Sequence, residues 1–203
     1  MGETKHNILL AAERLFFLHG IANVRLQQIA DEAGISVGNL AYHYRNKEAI
    51  VEAVYDKMFH DFESLLTTYL KSPDLRDFDE LFHACYQTFT ENAFYLNNIW
   101  EINRNYEDLR GRWQQFNQKM LLQIRKRIQF NIERGTLSQS PLLAQLDEVA
   151  QNLWLTITFW ISQQMLLGRK LSVNRYRKAL WSQLTPYVTP IGQRELDAIL
   201  TDI

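Results

Sequence analysis

The sequence predicts an all-α protein with a small N-terminal helical domain and a larger C-terminal one. Three observations predict it. The 203 residues hold 8 glycines and 4 prolines, with no proline before Pro73, too little punctuation for the many turns of a sandwich or barrel. Apolar residues recur at helical spacing in segment after segment, and no alternating strand pattern is apparent. A composition of 46% hydrophobic and 22% charged residues suits a packed core and excludes intrinsic disorder.

The first helix is expected over about Thr4–His19, with Thr4 as its cap. Ile8, Leu9, Ala12, Leu15 and Phe16 share one face, and Gly20 stops it. Two short helices follow, about Leu26–Glu32 and Val37–His43, separated by Gly34 and with Ser36 capping the second. Asn46 caps a long helix, about Lys47–Leu70, on which Ile50, Val51, Val54, Met58 and Leu65 recur at helical spacing. Ser72-Pro73-Asp74 is the clearest break. Asp77 and Glu80 stand at capping-box spacing, which predicts a helix from there to about Thr90. Further helices are expected near Tyr95–Asn103 and Glu107–Arg134, with Gly111 as an early interruption of the latter. The next begins at Leu142 or Asp147 and ends at Leu167. The last two span about Asn174–Val188, with Pro186 as a late stop, and Gly192–Thr201. The boundary between residues 1–50 and 51–203 then falls inside the helix 47–70.

Several function classes find no support. The formal net charge of −1 gives no global argument for a polyanionic partner, so any such case must be local. The single cysteine, Cys85, excludes an intrachain disulfide and a cysteine zinc site, and suits a reducing cytoplasm. The N-terminus lacks a signal-peptide pattern, and the longest apolar stretch, Leu153–Ile161, is too short to cross a bilayer. The five histidines are scattered without metal-ligand spacing, and there is no phosphate-cradling glycine loop, nucleophile elbow or HExxH pattern. No catalytic residue, metal or cofactor is therefore expected, and the chain does not read as an enzyme.

The segment 26–43 is the informative one. Ala30 is small enough for two short helices to cross closely, Gly34 suits a turn with positive φ, and Ile29, Ile35 and Leu40 are pegs that seat the pair. What remains outward on the second short helix is Ser36, Val37, Asn39, Tyr42 and His43. A small, uncharged, hydrogen-bonding surface of this kind is what a helix-turn-helix carries into a major groove. Residues 1–60 hold six basic side chains (Lys5, Arg14, Arg25, Arg45, Lys47, Lys57) against seven acidic ones (Glu3, Glu13, Asp31, Glu32, Glu48, Glu52, Asp56). The domain is not basic as a whole, but Arg25, Arg45, Lys47 and His43 flank the proposed reading helix.

The run Ile29-Ala30-Asp31-Glu32-Ala33-Gly34-Ile35-Ser36-Val37-Gly38-Asn39-Leu40, continued by Tyr42-His43-Tyr44-Arg45-Asn46-Lys47-Glu48-Ala49-Ile50, resembles the N-terminal domain of TetR-type transcriptional regulators. The resemblance covers roughly residues 4–55. It implies a dimer that binds a near-palindromic stretch of double-stranded DNA, usually a repressor released by a small molecule. Carried over position by position, Gln27 and Gln28 reach a base edge or phosphate, Ser36, Val37 and Asn39 read bases, and Tyr42, His43 and Lys47 grip phosphates. Two positions depart from the family pattern. Arg25 stands where a capping threonine is usual, offering a charged contact instead, and Ala41 stands where a tyrosine is usual.

The rest of the chain is read as an effector and dimerisation domain. Aromatic residues crowd positions 78–116, with asparagines and an arginine interleaved. Rings at helical spacing are ordinarily core; the functional alternative is a mainly apolar pocket for an unidentified effector, lined by Phe82, Tyr86, Trp100, Asn103, Arg104 and Phe159. The segment 149–167 is apolar on more than one face and so expects burial on two sides. Residues 147–168 and 174–188 are expected to form half of a two-fold four-helix interface, as the resemblance also implies. Arg125-Lys126-Arg127 reads most simply as a solvated helix face. Other readings are an activator, or a protein-binding adaptor without an effector.

Overall fold

The computed structural model describes residues 2–67, 74–139 and 145–201. The helices are α1 (Glu3–His19), α2 (Leu26–Glu32), α3 (Val37–His43), α4 (Lys47–Thr67), α5 (Leu75–Glu91), α6 (Ala93–Asn105), α7 (Glu107–Glu133), α8 (Leu146–Leu166), α9 (Val173–Leu184) and α10 (Pro190–Leu200), with a 3-10 turn at Thr185–Tyr187. The only β-type pairing among the described residues is an isolated bridge between Leu137 and Val188. The Ser72-Pro73 break, Leu70 as the end of α4 and Leu142 as an alternative start of α8 lie outside the described residues.

α1, α5 and α10 start upstream of the expected residue, α5 and α10 because a side-chain acceptor lies there. Thr4 sits inside α1, whose cap position is Gly2. The cap of α5 is Asp74, whose Oδ1 accepts the Asp77 N–H at 2.9 Å. Asp77 is instead ion-paired with Arg127 at 2.8 Å. α10 starts at Pro190 because Thr189 Oγ1 accepts the Gly192 N–H at 3.1 Å, and proline suits the first helical position. Pro186 removes a backbone donor and α9 tightens there into the 3-10 turn. Gly111 lies within α7 without breaking it.

The chain forms two compact units, residues 1–62 with 92–113, and residues 63–91 with 114–203. α6 and the first turns of α7 therefore group with the N-terminal helices. In the first unit α1 packs on α2 and α6, and α2 on α3. Its core includes Ile8, Phe16, Ile29, Leu40, Ile50, Val54 and Met58, all fully buried. Tyr55 meets Phe94 and Tyr95 edge-on at 5.6 and 5.7 Å between ring centroids, and Trp113 lies 4.4 Å from Tyr95.

In the second unit α5 packs against α8, α9 and α10. Phe78, Phe82 and Trp181 form a buried ring triangle with centroids 5.0–6.3 Å apart. Beside it the buried Asp79 accepts two bonds from Arg177, at 3.0 and 2.6 Å, and one from Trp181 Nε1 at 2.8 Å. A carboxylate is tolerated in this core because both oxygens are bonded to donors and the charge is matched. Gly192 has no room for a side chain: a Cβ there would stand 2.1 Å from the Thr136 carbonyl oxygen. The basic run is solvated only in part: Lys126 is exposed and Arg125 half-buried. Arg127 is 1% exposed, and Arg125 pairs with Asp147 at 2.8 Å.

Only one face of α8 is covered. Val149, Leu153, Trp154, Ile157 and Ile161 are buried, whereas Leu155, Phe159 and Leu166 are 58%, 41% and 88% exposed. The expected burial on both sides is not supplied by the described residues.

Candidate nucleic-acid interface

α2 and α3 are seven residues each, too short to persist alone in water, and they hold their shape through seating and caps. Ile29, Ala30 and Leu40 are fully buried and anchor the inner faces. Between the helices Gly34 takes φ +68°, a left-handed conformation that a Cβ would strain, and the Ile35 N–H reaches back to the Ala30 carbonyl at 3.0 Å. Ser36 caps α3 as expected, its Oγ accepting the Asn39 N–H at 3.1 Å. Asn46 likewise caps α4 by accepting the Ala49 N–H at 2.9 Å.

The outward surface of α3 is Ser36, Gly38, Asn39, Ala41 and Tyr42, all exposed, with Val37 and His43 half-buried beside them. Tyr42 is 85% exposed and meets the His43 ring edge-on at 5.2 Å. The cap uses the backbone of Asn39, so its side-chain amide is left for another partner. On α2, Gln27 donates to Asp31 at 2.7 Å. Gln28 Oε1 accepts the Arg25 N–H at 2.8 Å, which makes it a cap residue. Arg25 and Arg45 are exposed. α3 therefore presents hydrogen-bonding groups without formal charge, with guanidinium groups nearby on the same unit. Such a surface can address base edges while the cations address phosphates.

Lys47, expected to grip a phosphate, turns its ammonium onto carbonyls of the chain itself. Its Nζ donates to the carbonyls of Ile21 at 2.9 Å, Val24 at 3.2 Å and Ala22 at 3.4 Å. Two side chains of α6 bind the same turn from its amide side. Asn98 Oδ1 accepts the Ile21 N–H at 2.9 Å and Glu101 accepts the Ala22 N–H at 3.0 Å. These two residues were not expected at the site, because they lie more than seventy positions along the chain from the turn they hold.

Lys47 and Glu101 also line a cavity of about 550 Å³, together with Glu48, Glu52, Tyr106 and Asp108, among others. Burial, and then the carboxylates of Glu48, Glu101 and Glu52, push the Tyr106 phenol up to about 12. No group of three or more metal-ligating side chains capable of holding an ion occurs among the described residues.

The expected effector-pocket residues divide between the two units. Trp100, 73% exposed, Asn103 and Arg104 lie in the first unit, and Arg104 Nε turns back on the Trp100 carbonyl at 3.2 Å. Phe82 is sealed in the ring triangle of the second unit, Tyr86 stands 5.4 Å from Tyr176, and Phe159 lies on the open face of α8.

Residues 8–54 match the family model of bacterial regulatory proteins of the tetR family, and residues 57–196 match that of a bacterial transcriptional repressor, TetR. The chain belongs to the TetR family. Members are DNA-binding transcriptional regulators with a helix-turn-helix, not enzymes. The HTH-type transcriptional regulator TtgR of Pseudomonas putida is 36% identical over 63 residues. That match covers 31% of this chain and 30% of TtgR, so it spans under a third of the relative's length. A TetR-family regulator from Marinobacter aquaeolei VT8 superposes with TM-score 0.82 over 99% of this chain and 98% of its own, at 21% identity. SmeT, the repressor of the Stenotrophomonas maltophilia multidrug efflux pump SmeDEF, superposes with TM-score 0.63 over 92% and 91%, at 20% identity. These superpositions establish the TetR fold for both units, and no described helix is long and apolar enough to cross a membrane.

Proposed function

We propose that this TetR-family regulator is a homodimeric repressor that reads a near-palindromic operator with α3 and is released from it by a small-molecule effector. The observation that carries the reading is the surface of α3: Leu40 pins it inward while Ser36, Asn39 and Tyr42 stand exposed and uncharged. Asn39 and Ser36 address base edges, helped by the apolar edge of Val37. Tyr42, His43, Gln27 and the guanidinium of Arg25 address the backbone. Gln28 acts by capping α2.

The open stripe of α8 supports the twofold pairing. Leu155, Phe159 and Leu166 recur at helical spacing, and a second copy of α8 and α9 would cover them. Pairing sets two reading helices on successive major grooves, about 34–36 Å apart. An effector releases DNA only through tighter binding to the conformation that does not fit this spacing. A shift from 1:99 to 99:1 needs about 5.5 kcal/mol of differential affinity.

Fluorescence anisotropy with the palindromic duplex upstream of the protein's own gene tests the reading. Saturable binding that outcompetes a scrambled duplex is expected. Equal affinity for both duplexes, or no binding at low salt, rules it out.

A further inference from the structure

We propose that Asn98 and Glu101 of α6 and Lys47 of α4 are positioning residues for DNA recognition: they clasp the turn at residues 20–24 and so fix where α2 and α3 present their side chains, without touching DNA themselves. The proposal rests on the α3 reading above and adds residues that the reading does not use.

The turn needs outside partners. Gly20 N–H bonds the Phe16 carbonyl at 3.0 Å and Val24 N–H the Ile21 carbonyl at 3.3 Å, whereas the Ile21 and Ala22 amides take side-chain acceptors, and a buried amide such as that of Ile21 is costly to leave unpaired. The amide side is served by α6. Asn98 is 2% exposed, and both ends of its amide are engaged. Its Oδ1 takes the Ile21 N–H, while Nδ2 donates to the Phe16 carbonyl at 3.1 Å and the Phe94 carbonyl at 2.7 Å. One side chain thus joins the last turn of α1, the connecting turn and α6. Aspartate in its place would set a carboxylate against two carbonyls, and leucine would leave the Ile21 N–H unpaired. Glu101, one helical turn further on, takes the next amide, Ala22.

The carbonyl side is served by Lys47, whose three ammonium hydrogens match the three carbonyls of Ile21, Ala22 and Val24. A phosphate contact from Lys47 would require giving up one of these bonds. Val24 lies one residue before Arg25, the N-cap of α2. Movement of the turn therefore moves the start of α2, and with it α3, which packs on α2. Positioning errors of about 1 Å are enough to spoil bidentate contacts to base edges.

The test uses full-length protein with Glu101→Ala, Glu101→Gln and Lys47→Met. Each is titrated by anisotropy against the operator duplex over a range of salt, with thermal melting and amide hydrogen exchange of the free protein alongside. Glu101→Ala should weaken operator binding about tenfold, on the scale of one hydrogen bond to a charged group, and speed exchange at the Ala22 amide. Glu101→Gln keeps the acceptor and should restore both. Lys47→Met should weaken binding without changing the slope of log K against log salt. A direct phosphate contact would instead lower that slope by about 0.9.

Wild-type affinity from Glu101→Ala with an unchanged Ala22 exchange rate would overturn the proposal, as would a salt slope reduced by a full contact in Lys47→Met. If Glu101→Ala fails to fold, the affinity and salt slope of Lys47→Met still decide. Wild-type protein that does not distinguish the operator overturns the α3 reading instead, and the exchange data then judge the clasp by itself.

Discussion

Asn39→Ala separates recognition from folding at a single residue. The side chain of Asn39 is exposed, and the Ser36 cap uses its backbone N–H, so the cap survives the substitution. Alanine is also the better helix former, by up to about 0.7 kcal/mol. Stability should therefore stay within about 0.5 kcal/mol of wild type or rise slightly. If the amide makes a bidentate contact to a base edge, its loss removes about 1–3 kcal/mol of discrimination, or roughly 5- to 150-fold in operator affinity. Non-specific affinity and the salt dependence should not move, because they are set by phosphate contacts. The assay is anisotropy at several salt concentrations with operator and scrambled duplexes, paired with urea unfolding. An operator affinity unchanged by Asn39→Ala would refute the assignment. So would a parallel fall for both duplexes, since that would make Asn39 a backbone contact.

Removing a charge from a sealed core tests the packing of the second unit. Asp79→Ala strands Arg177, which is 8% exposed, and should destabilise the protein by about 3–5 kcal/mol, measured by urea unfolding, whereas Asp79→Asn should lose less. On α8, Leu155→Glu with Leu166→Glu should leave a monomer in light scattering where the proposed dimer is expected of the wild type, with helical content retained, because both positions are exposed in the single chain. Alkaline pH should unfold the protein. Burial pushes the Cys85 thiol from 9.0 up to about 12, against the pull of Arg127, and the Tyr106 phenol goes from 10.0 up to about 12. Burial likewise raises Tyr55, Tyr95 and Tyr176. Between those limits the unfolded state has released protons that the folded state keeps, so stability is intact below about pH 9 and falls as pH rises, by about 1.4 kcal/mol per pH unit for each fully shifted group. The melting temperature should drop above about pH 9.5, and tyrosinate absorbance from the buried rings should appear only as the helical signal is lost; buried rings ionising with the helices intact would contradict this.

Much of the reading head was legible because its determinants are local. Ser36, Gly34 and Asn46 act within a few residues of themselves, through a cap, a positive φ and another cap, so α2 and α3 emerge with the expected bounds. The same holds for the dipole-matched start of α7 at Glu107. What escaped depends on residues distant in sequence. The roles of Asn98 and Glu101 are visible only once α6 lies against α1. Lys47 looks like a surface cation until the carbonyls of Ile21, Ala22 and Val24 surround it. Arg127 reads as part of a solvated basic run until Asp77 pairs with it, which in turn hands the capping of α5 to Asp74. The residues proposed to line an effector pocket differ widely in their surroundings. Aromatic spacing alone does not distinguish a ring such as Phe82, locked against Trp181, from an exposed one such as Trp100.

Spacing between half-sites is the most direct test of the account. Two α3 surfaces carried by one twofold dimer demand a fixed separation, so inserting about five base pairs at the centre of the operator rotates one half-site by about half a helical turn. Affinity for the lengthened duplex should collapse to that of a scrambled one. Undiminished binding after the half-turn insertion would mean that each subunit reads alone, and would contradict the account.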